Sequence, residues 1–280
     1  FAAATAWIGN SPADCSTCES PRTQVTVNVS SSSSMAGSQL TCASPTATLD
    51  AGPGFSSYLW STGETTQTIS ATQAGIYSVD VTGFGCSGSD TTSVVGFTSS
   101  ENSLLFDGAN DYIAIGNMNY DGLGYAETTI ETWIETTDGT DQIISSFDRN
   151  QFWRLEINGN GAGTGQIGFD LMTSSGQLDF GGTIRVDDGN WHHVAAVFDN
   201  GTVSIYVDGV LDASTTTGAT FGSSATRYGF IGTGSEATTY NGTTGPGSYF
   251  NGEMDEFRIW NTARTQAEIR SSMCSHVSGG

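Results

Sequence analysis

NWHHVAAVFDNGTVSIYVDGVLDAST, Asn190 to Thr215, specifies its own structure almost residue by residue. Apolar residues alternate along Trp191 to Phe198 and again at Val203, Ile205 and Val207, the period of a strand with one buried face. Between the two runs lies Asn200-Gly201, a dipeptide suited to the positive φ angles of a tight hairpin turn. A second such dipeptide, Asp208-Gly209, returns the chain into Val210 to Thr215. The stretch predicts a three-strand antiparallel meander.

The same residues carry a resemblance. Trp191-His192-His193-Val194-Ala195 followed by Tyr206-Val207-Asp208-Gly209 resembles the signature of laminin-G-like, concanavalin-A-like jelly rolls. Phe106-Asp107-Gly108 with Asn110-Asp111-Tyr112 resembles the opening strand of that family, and Thr129 to Ile134 its second conserved strand. Phe250 to Trp260 resembles the closing strand, so four motifs stand in the family's order. The resemblance implies a jelly roll over 100–273 whose first and last strands lie side by side, with a tail at 274–280. Strands are expected at 102–106, 111–115, 128–135, 141–147, 152–157, 166–171, 191–199, 202–207, 210–215, 227–232 and 249–260. Thr265-Gln266-Ala267-Glu268 is a capping-box pattern and predicts a short helix after the last strand.

Upstream, short β segments at Thr46–Leu49, Tyr58–Trp60, Thr66–Ile69 and Ile76–Val81 alternate with Gly, Pro and Ser turns, the spacing of a small sandwich over 39–99. Ala74-Gly75-Ile76-Tyr77 resembles the tyrosine corner of Ig-like folds, and Trp60 occupies the place of a core tryptophan. Tyr58 to Gly63 with Gly75 to Val79 resembles repeats of secreted bacterial gliding and adhesion proteins. The fold class is therefore all-β, a small Ig-like sandwich followed by a jelly roll. Ser30 to Ser34 opens a flexible linker, taken as 31–38. Within 1–30, Gln24 to Val29 alternates as a strand and resembles the last strand of an Ig-like repeat. It either ends an upstream repeat or pairs with another molecule. The chain starts at Phe1 rather than Met, so a larger precursor is expected.

Composition narrows the partners. The formal charge is −21, and the eight basic residues are all arginine. Such a surface repels phosphates and anionic lipid, so neither nucleic acid nor membrane insertion is expected. The absence of lysine excludes Schiff-base chemistry and a phosphate-loop lysine. Five cysteines, Cys15, Cys18, Cys42, Cys86 and Cys274, in a turn-rich chain point to an oxidising, extracellular setting such as a bacterial cell surface. Cys42 and Cys86 bracket the small domain and are the expected disulfide. Cys274 is expected to be free, or bonded to Cys15, to Cys18 or to another chain.

Candidate chemistry is sparse. Glu253-Met254-Asp255-Glu256 resembles the start of the Glu-x-Asp-x-x-Glu strand of jelly-roll glycoside hydrolases, but Phe257 and Arg258 occupy the place of the distal glutamate. Without a second carboxylate there is no acid/base pair on one face, and no enzyme is expected. His192 and His193 adjoin on a strand and point to opposite faces, so they cannot chelate one metal together; the family resemblance implies that one is a core histidine bonded to backbone, and the other is expected to be half exposed. Asp107, Asn110, Asp111 and Asp255 offer oxygens suited to a structural Ca²⁺ where the first and last strands meet. The alternative is that Asp107 to Asp111 are turn residues and that Asp255 pairs with an arginine such as Arg258. Two functions follow: a surface module that binds a glycan or protein ligand for adhesion, or a filament subunit assembled through its N-terminal strand.

Overall fold

The structure, a computed structural model, describes residues 38–40, 46–83, 86–96, 103–245 and 247–274. The Gln24–Val29 strand, Cys15, Cys18, Cys42 and the side chain of Cys86 lie outside the described residues, and so does the expected Cys42–Cys86 bond. The described chain divides into two compact units. The first contains Thr48–Ile69 and Ile76–Thr92; the second contains Ser38–Ala47, Ser70–Gly75 and the chain from Ser93 onward.

Among the described residues, six strands precede the larger sandwich: β1 (Ser38–Gln39), β2 (Ala47–Asp50), β3 (Ser57–Trp60), β4 (Thr68–Ala71), β5 (Gly75–Gly83) and β6 (Cys86–Val95). In the first unit β3 pairs antiparallel with β5, aligning Trp60 with Val79. Trp60 is buried, and its indole N–H donates to the Thr66 carbonyl at 2.8 Å. That is the core packing expected of Trp60. The alternation of β6 is broken by polar residues at Ser87 to Thr92, and the sequence pattern does not register it as a strand.

The second unit is built on β7 (Leu104–Asp107), β8 (Ile113–Ala114), β9 (Glu127–Glu135), β10 (Gln142–Ser146), β11 (Trp153–Ile157), β12 (Gln166–Thr173), β13 (Gly176–Arg185), β14 (Trp191–Asp199), β15 (Thr202–Val207), β16 (Val210–Thr216), β17 (Phe230–Ile231) and β18 (Asn251–Trp260), followed by helix α1 (Gln266–Ser272). They form two six-stranded sheets, β16-β15-β14-β9-β18-β7 and β13-β12-β11-β10-β17-β8. The meander β14-β15-β16 turns where the sequence places it. Asn200 and Gly201 have φ of 45° and 95°, and Asp208 and Gly209 have 51° and 69°, the paired positive angles of tight hairpins. β7 pairs with β18, so the first and last strands of the jelly roll are neighbours.

The apolar sides of the two sheets meet in one core, with Ile130, Ile134, Val194, Ala196 and Phe198 from one sheet and Trp153, Leu155, Phe169 and Leu171 from the other. Every residue from Trp191 to Phe198 is buried, not only alternate ones. The reason is α1, which covers the second face of β14 by seating Ile269 against Ala195 and Val197. The predicted capping box is present: the Thr265 side chain accepts from the Glu268 N–H, and the Glu268 carboxylate accepts from the Thr265 N–H. β13 is a ten-residue strand that the sequence leaves as a loop. Its alternation at Leu178, Phe180 and Ile184 is interrupted by Gly181-Gly182, and its pairing with β12 shifts register there.

Candidate functional site

Both outer faces of the sandwich bury charge, by different means. Under α1, Glu131 of β9 is fully buried and accepts hydrogen bonds from the Arg258 guanidinium at 3.2 Å and the Trp260 indole at 3.0 Å. A bulge puts Arg258 there: Asp255 pairs with Trp133 and Arg258 with Glu131, so two residues of β18 face one of β9. Glu256 in the bulge takes φ of 50°, a left-handed conformation unusual for glutamate. Arg258 also donates to the Ser272 carbonyl and to Glu256, while Trp133 donates to the Met273 carbonyl at 2.6 Å. The helix is thus tied to the sheet through polar as well as apolar contacts.

The two histidines do face opposite ways, but neither is half exposed and neither ring bonds backbone. His192 lies between Asp208 (Nδ1, 2.9 Å) and Asp188 (Nε2, 3.1 Å). Burial disfavours its protonation, yet the two carboxylates outweigh burial and push its pKa up to about 9. Asp208 also accepts the His193 N–H at 3.0 Å, so the turn aspartate of one motif anchors both histidines of the other. His193 is buried against Trp133, with ring centroids 5.3 Å apart, and its Nε2 lies 4.0 Å from Glu131. Burial, then the charges of Arg258 and Arg264, push its pKa down to about 3, so it is neutral.

On the other outer face, Arg154 and Glu156 of β11 meet Asp170 of β12. Arg154 reaches Glu156 at 2.5 Å and Asp170 at 3.1 Å, and Arg149 bridges Asp170 at 2.8 Å and Asp179 of β13 at 2.7 Å. Glu156 and Asp170 are wholly buried. Burial, followed by the charge of Glu156 and a hydrogen bond to it, pushes the Asp170 carboxyl up to about 8, so at neutral pH the pair holds a proton. Glycine-bearing loops cover this face at two places. A β-carbon at Gly161 or Gly181 would run into the facing backbone, and one at Gly247 would meet the Ile143 side chain at 2.7 Å. Between the covers lies a cavity of about 220 Å³ bordered by Ser146, Asn150, Arg154, Ser235 and Gly245.

A second cavity, of about 360 Å³, opens where β9 begins and β18 ends. It is lined by Tyr120, Tyr125 and Trp260 with Asn119, Glu127 and Asn261 at its polar positions. The rings are held rigidly. Tyr120 stacks on Phe152 (5.2 Å) and Tyr125 on Phe221 (5.4 Å), while Arg264 caps the Trp260 ring at 4.0 Å. No signal in the sequence marks this pocket, since Trp260 is far from Tyr120 and Tyr125 in the chain and none of the three stands in a motif that marks a ligand.

The structure gathers three of the four residues expected at a metal centre into one turn and leaves out the fourth. Asp107 Oδ1 accepts from the Ala109 N–H at 2.8 Å, and Asp111 Oδ2 accepts from the Asp107 N–H at 3.0 Å. Asp107 pairs with Asn251, whereas Asp255 lies four residues further along β18, roughly 13 Å at strand rise. Asp255 Oδ1 instead accepts from the Glu256 N–H at 2.8 Å, and Arg258 is committed to Glu131 and Glu256. Asp107, Asn110, Asp111 and Asp255 therefore do not share one coordination sphere. Among the described residues no group of three or more His, Cys, Asp or Glu side chains is arranged to hold a metal ion. Cys274 is disulfide-bonded, to a partner that is not among the described side chains.

Residues 107–270 match the profile of a laminin-G type 3 domain, described as the concanavalin A-like lectin/glucanases superfamily. No curated protein sequence matches the chain significantly. Among solved structures, a heptameric SAP-like pentraxin from Limulus polyphemus is 18% identical with a TM-score of 0.43, covering 61% of this chain and 80% of that one. A putative carbohydrate binding protein from Bacteroides ovatus is 18% identical with a TM-score of 0.45, covering 77% and 66%. Domains LG4-5 of the mouse laminin alpha1 chain are 18% identical with a TM-score of 0.41, covering 69% of this chain but only 49% of that one.

Proposed function

Because the chain belongs to the laminin-G type 3 family of the concanavalin A-like lectin/glucanases superfamily, we propose that its jelly roll is a non-catalytic binding module for glycans, acting outside the cell in surface adhesion behind an Ig-like spacer. The observation that carries this reading is the cavity of about 360 Å³ lined by Tyr120, Tyr125 and Trp260 together with Asn119, Asn261 and Glu127. The half-buried Tyr125 and Trp260 rings, backed by the buried Tyr120, present apolar surface to a sugar, and amide and carboxylate groups take its hydroxyls. A glycan array probed with the whole chain, followed by calorimetry on Asn119→Ala and Asn261→Ala, tests it. Both asparagines are exposed, so the variants should fold, and each is expected to weaken a bound glycan about tenfold. An array without binding, or affinity unchanged in both variants, would remove the reading.

Two further observations favour binding over hydrolysis and an extracellular site. Glu156 and Asp170, the buried carboxyl pair, are both salt-bridged to Arg154 and inaccessible, whereas glycosidase carboxyls stand about 5 Å or more apart with the sugar between them. The disulfide at Cys274 suits an oxidising compartment. Among the described residues no helix is long and apolar enough to cross a membrane.

A further inference from the structure

We propose that the cavity between the two glycine-bearing covers, bordered by Ser146, Asn150, Arg154, Ser235 and Gly245, is a second binding site that selects an uncharged sugar unit and holds it by its hydroxyls alone.

At about 30 Å³ per water, a cavity of about 220 Å³ holds about seven waters, room for one sugar ring with its hydroxyl groups. Among the described residues no aromatic side chain borders it, so stacking is not what it offers, in contrast to the pocket at Trp260. Hydrogen-bonding groups surround it instead. Ser146 accepts the Asp148 N–H at 3.1 Å and keeps its own hydroxyl proton to donate. Asn150 is exposed at the rim, and one wall is bare backbone, where Gly245 N–H meets the Gly234 carbonyl at 2.9 Å. A β-carbon at Gly245 would stand 3.0 Å from the Ser235 nitrogen, so glycine lets this wall approach.

The charge balance sets the ligand class. Arg149, Arg154 and Arg227, three of the eight basic residues, cluster here, which by itself would suggest an anion. Each guanidinium is already compensated. Arg227 pairs with Asp148 at 2.6 Å, Arg149 with Asp170 and Asp179, and Arg154 with Glu156 and Asp170. With one proton on the Glu156–Asp170 pair, three positive charges face three negative ones. Glu236 at the border and the chain's net charge of −21 further oppose an acidic ligand. A neutral polyol, offering donors and acceptors without charge, fits this mixed lining.

The test is a titration of the isotopically labelled full chain, followed by backbone amide shifts in NMR, with galactose, arabinose and galacturonate as probes. Saturable shifts at Ser146, Asn150 and Ser235 are expected with a neutral sugar, with galacturonate at least about tenfold weaker. Asn150→Ala should weaken the neutral sugar about tenfold. Asn261→Ala, in the aromatic pocket, should leave these shifts intact, which separates this site from the one proposed above. Tighter binding of galacturonate, no shifts at the three amides with either neutral sugar, or affinity unchanged in both Asn150→Ala and Ser146→Ala would overturn the proposal.

Discussion

The two outer faces of the jelly roll solve one problem in opposite ways. On the β9–β14–β18 face, Glu131 is matched by Arg258 and sealed beneath α1, with His193 kept neutral beside it. On the β10–β11–β12 face, two carboxyls share a proton between two guanidiniums under loops that leave a cavity. A helix supplies close-packed side chains, so that face is closed. Loops of bare backbone cannot fill space, so the other face keeps room for a ligand.

Removing an arginine from each face gives the largest contrast. Arg258→Met should cost about 3–5 kcal/mol in urea unfolding, because Glu131 is left buried and unpaired. Arg154→Met should cost less, about 1–3 kcal/mol, because the Glu156–Asp170 pair can take up a further proton. Equal losses would break the comparison. Ile269→Ala, which removes the apolar seat of α1, should cost about 2–5 kcal/mol, and disrupting the helix cap with Thr265→Ala about 1 kcal/mol.

The faces should also respond to pH with opposite sign. Asp170 is raised from 3.8 to about 8, so the folded state holds a proton that the unfolded chain has lost. Stability is then full below about 4 and is lost as pH rises towards 8. His193 is lowered from 6.5 to about 3, so its contribution is present above 6.5 and is lost as pH falls towards 3. His192, raised from 6.5 to about 9, adds a loss on the alkaline side. Unfolding free energies measured from pH 4 to pH 9 should, in Asp170→Asn, rise between about 4 and 6.5, where the Asp170 loss no longer offsets the His193 gain, and fall less steeply than in the parent chain between about 6.5 and 8. A profile identical to that of the parent chain would show that Asp170 holds no extra proton.

The smallest expected effect is that of calcium. Asp107 and Asp111 already accept backbone N–H groups, and Asp255 stands at the other end of the strand pairing, so chelator should leave the melting temperature unchanged. A rise of several degrees with calcium would show that the Asp107–Asp111 turn recruits other oxygens for a cation.

Where structure depends on neighbours in sequence, it was legible. Asn200-Gly201 and Asp208-Gly209 set their own backbone angles, the alternation along Trp191–Phe198 and Val203–Val207 set the meander, and Thr265 with Glu268 set the start of α1. The order of the four motifs was enough to pair β7 with β18. Where a residue's role depends on what lies across the fold, it was not. The bulge at Glu256 moves Arg258 onto Glu131 and cannot be read from Asp255 to Trp260 as a strand pattern. His192 and His193 looked like one inner and one outer residue, and α1 on the far face is what leaves the outer one, His193, buried as well. β13 was hidden because Gly181 and Gly182 break its alternation, although Gly181 is what lets the loop at Gly161 and Ala162 lie against the sheet and Gly182 what admits the Asp212 side chain. Both cavities join residues from distant strands, with Tyr125 beside Trp260 in one and Arg154 beside Gly245 in the other. Backbone angle and periodicity are local properties that a sequence carries directly. Burial, charge pairing and empty space are created only when segments far apart in the chain pack together, and the tertiary structure alone decided them.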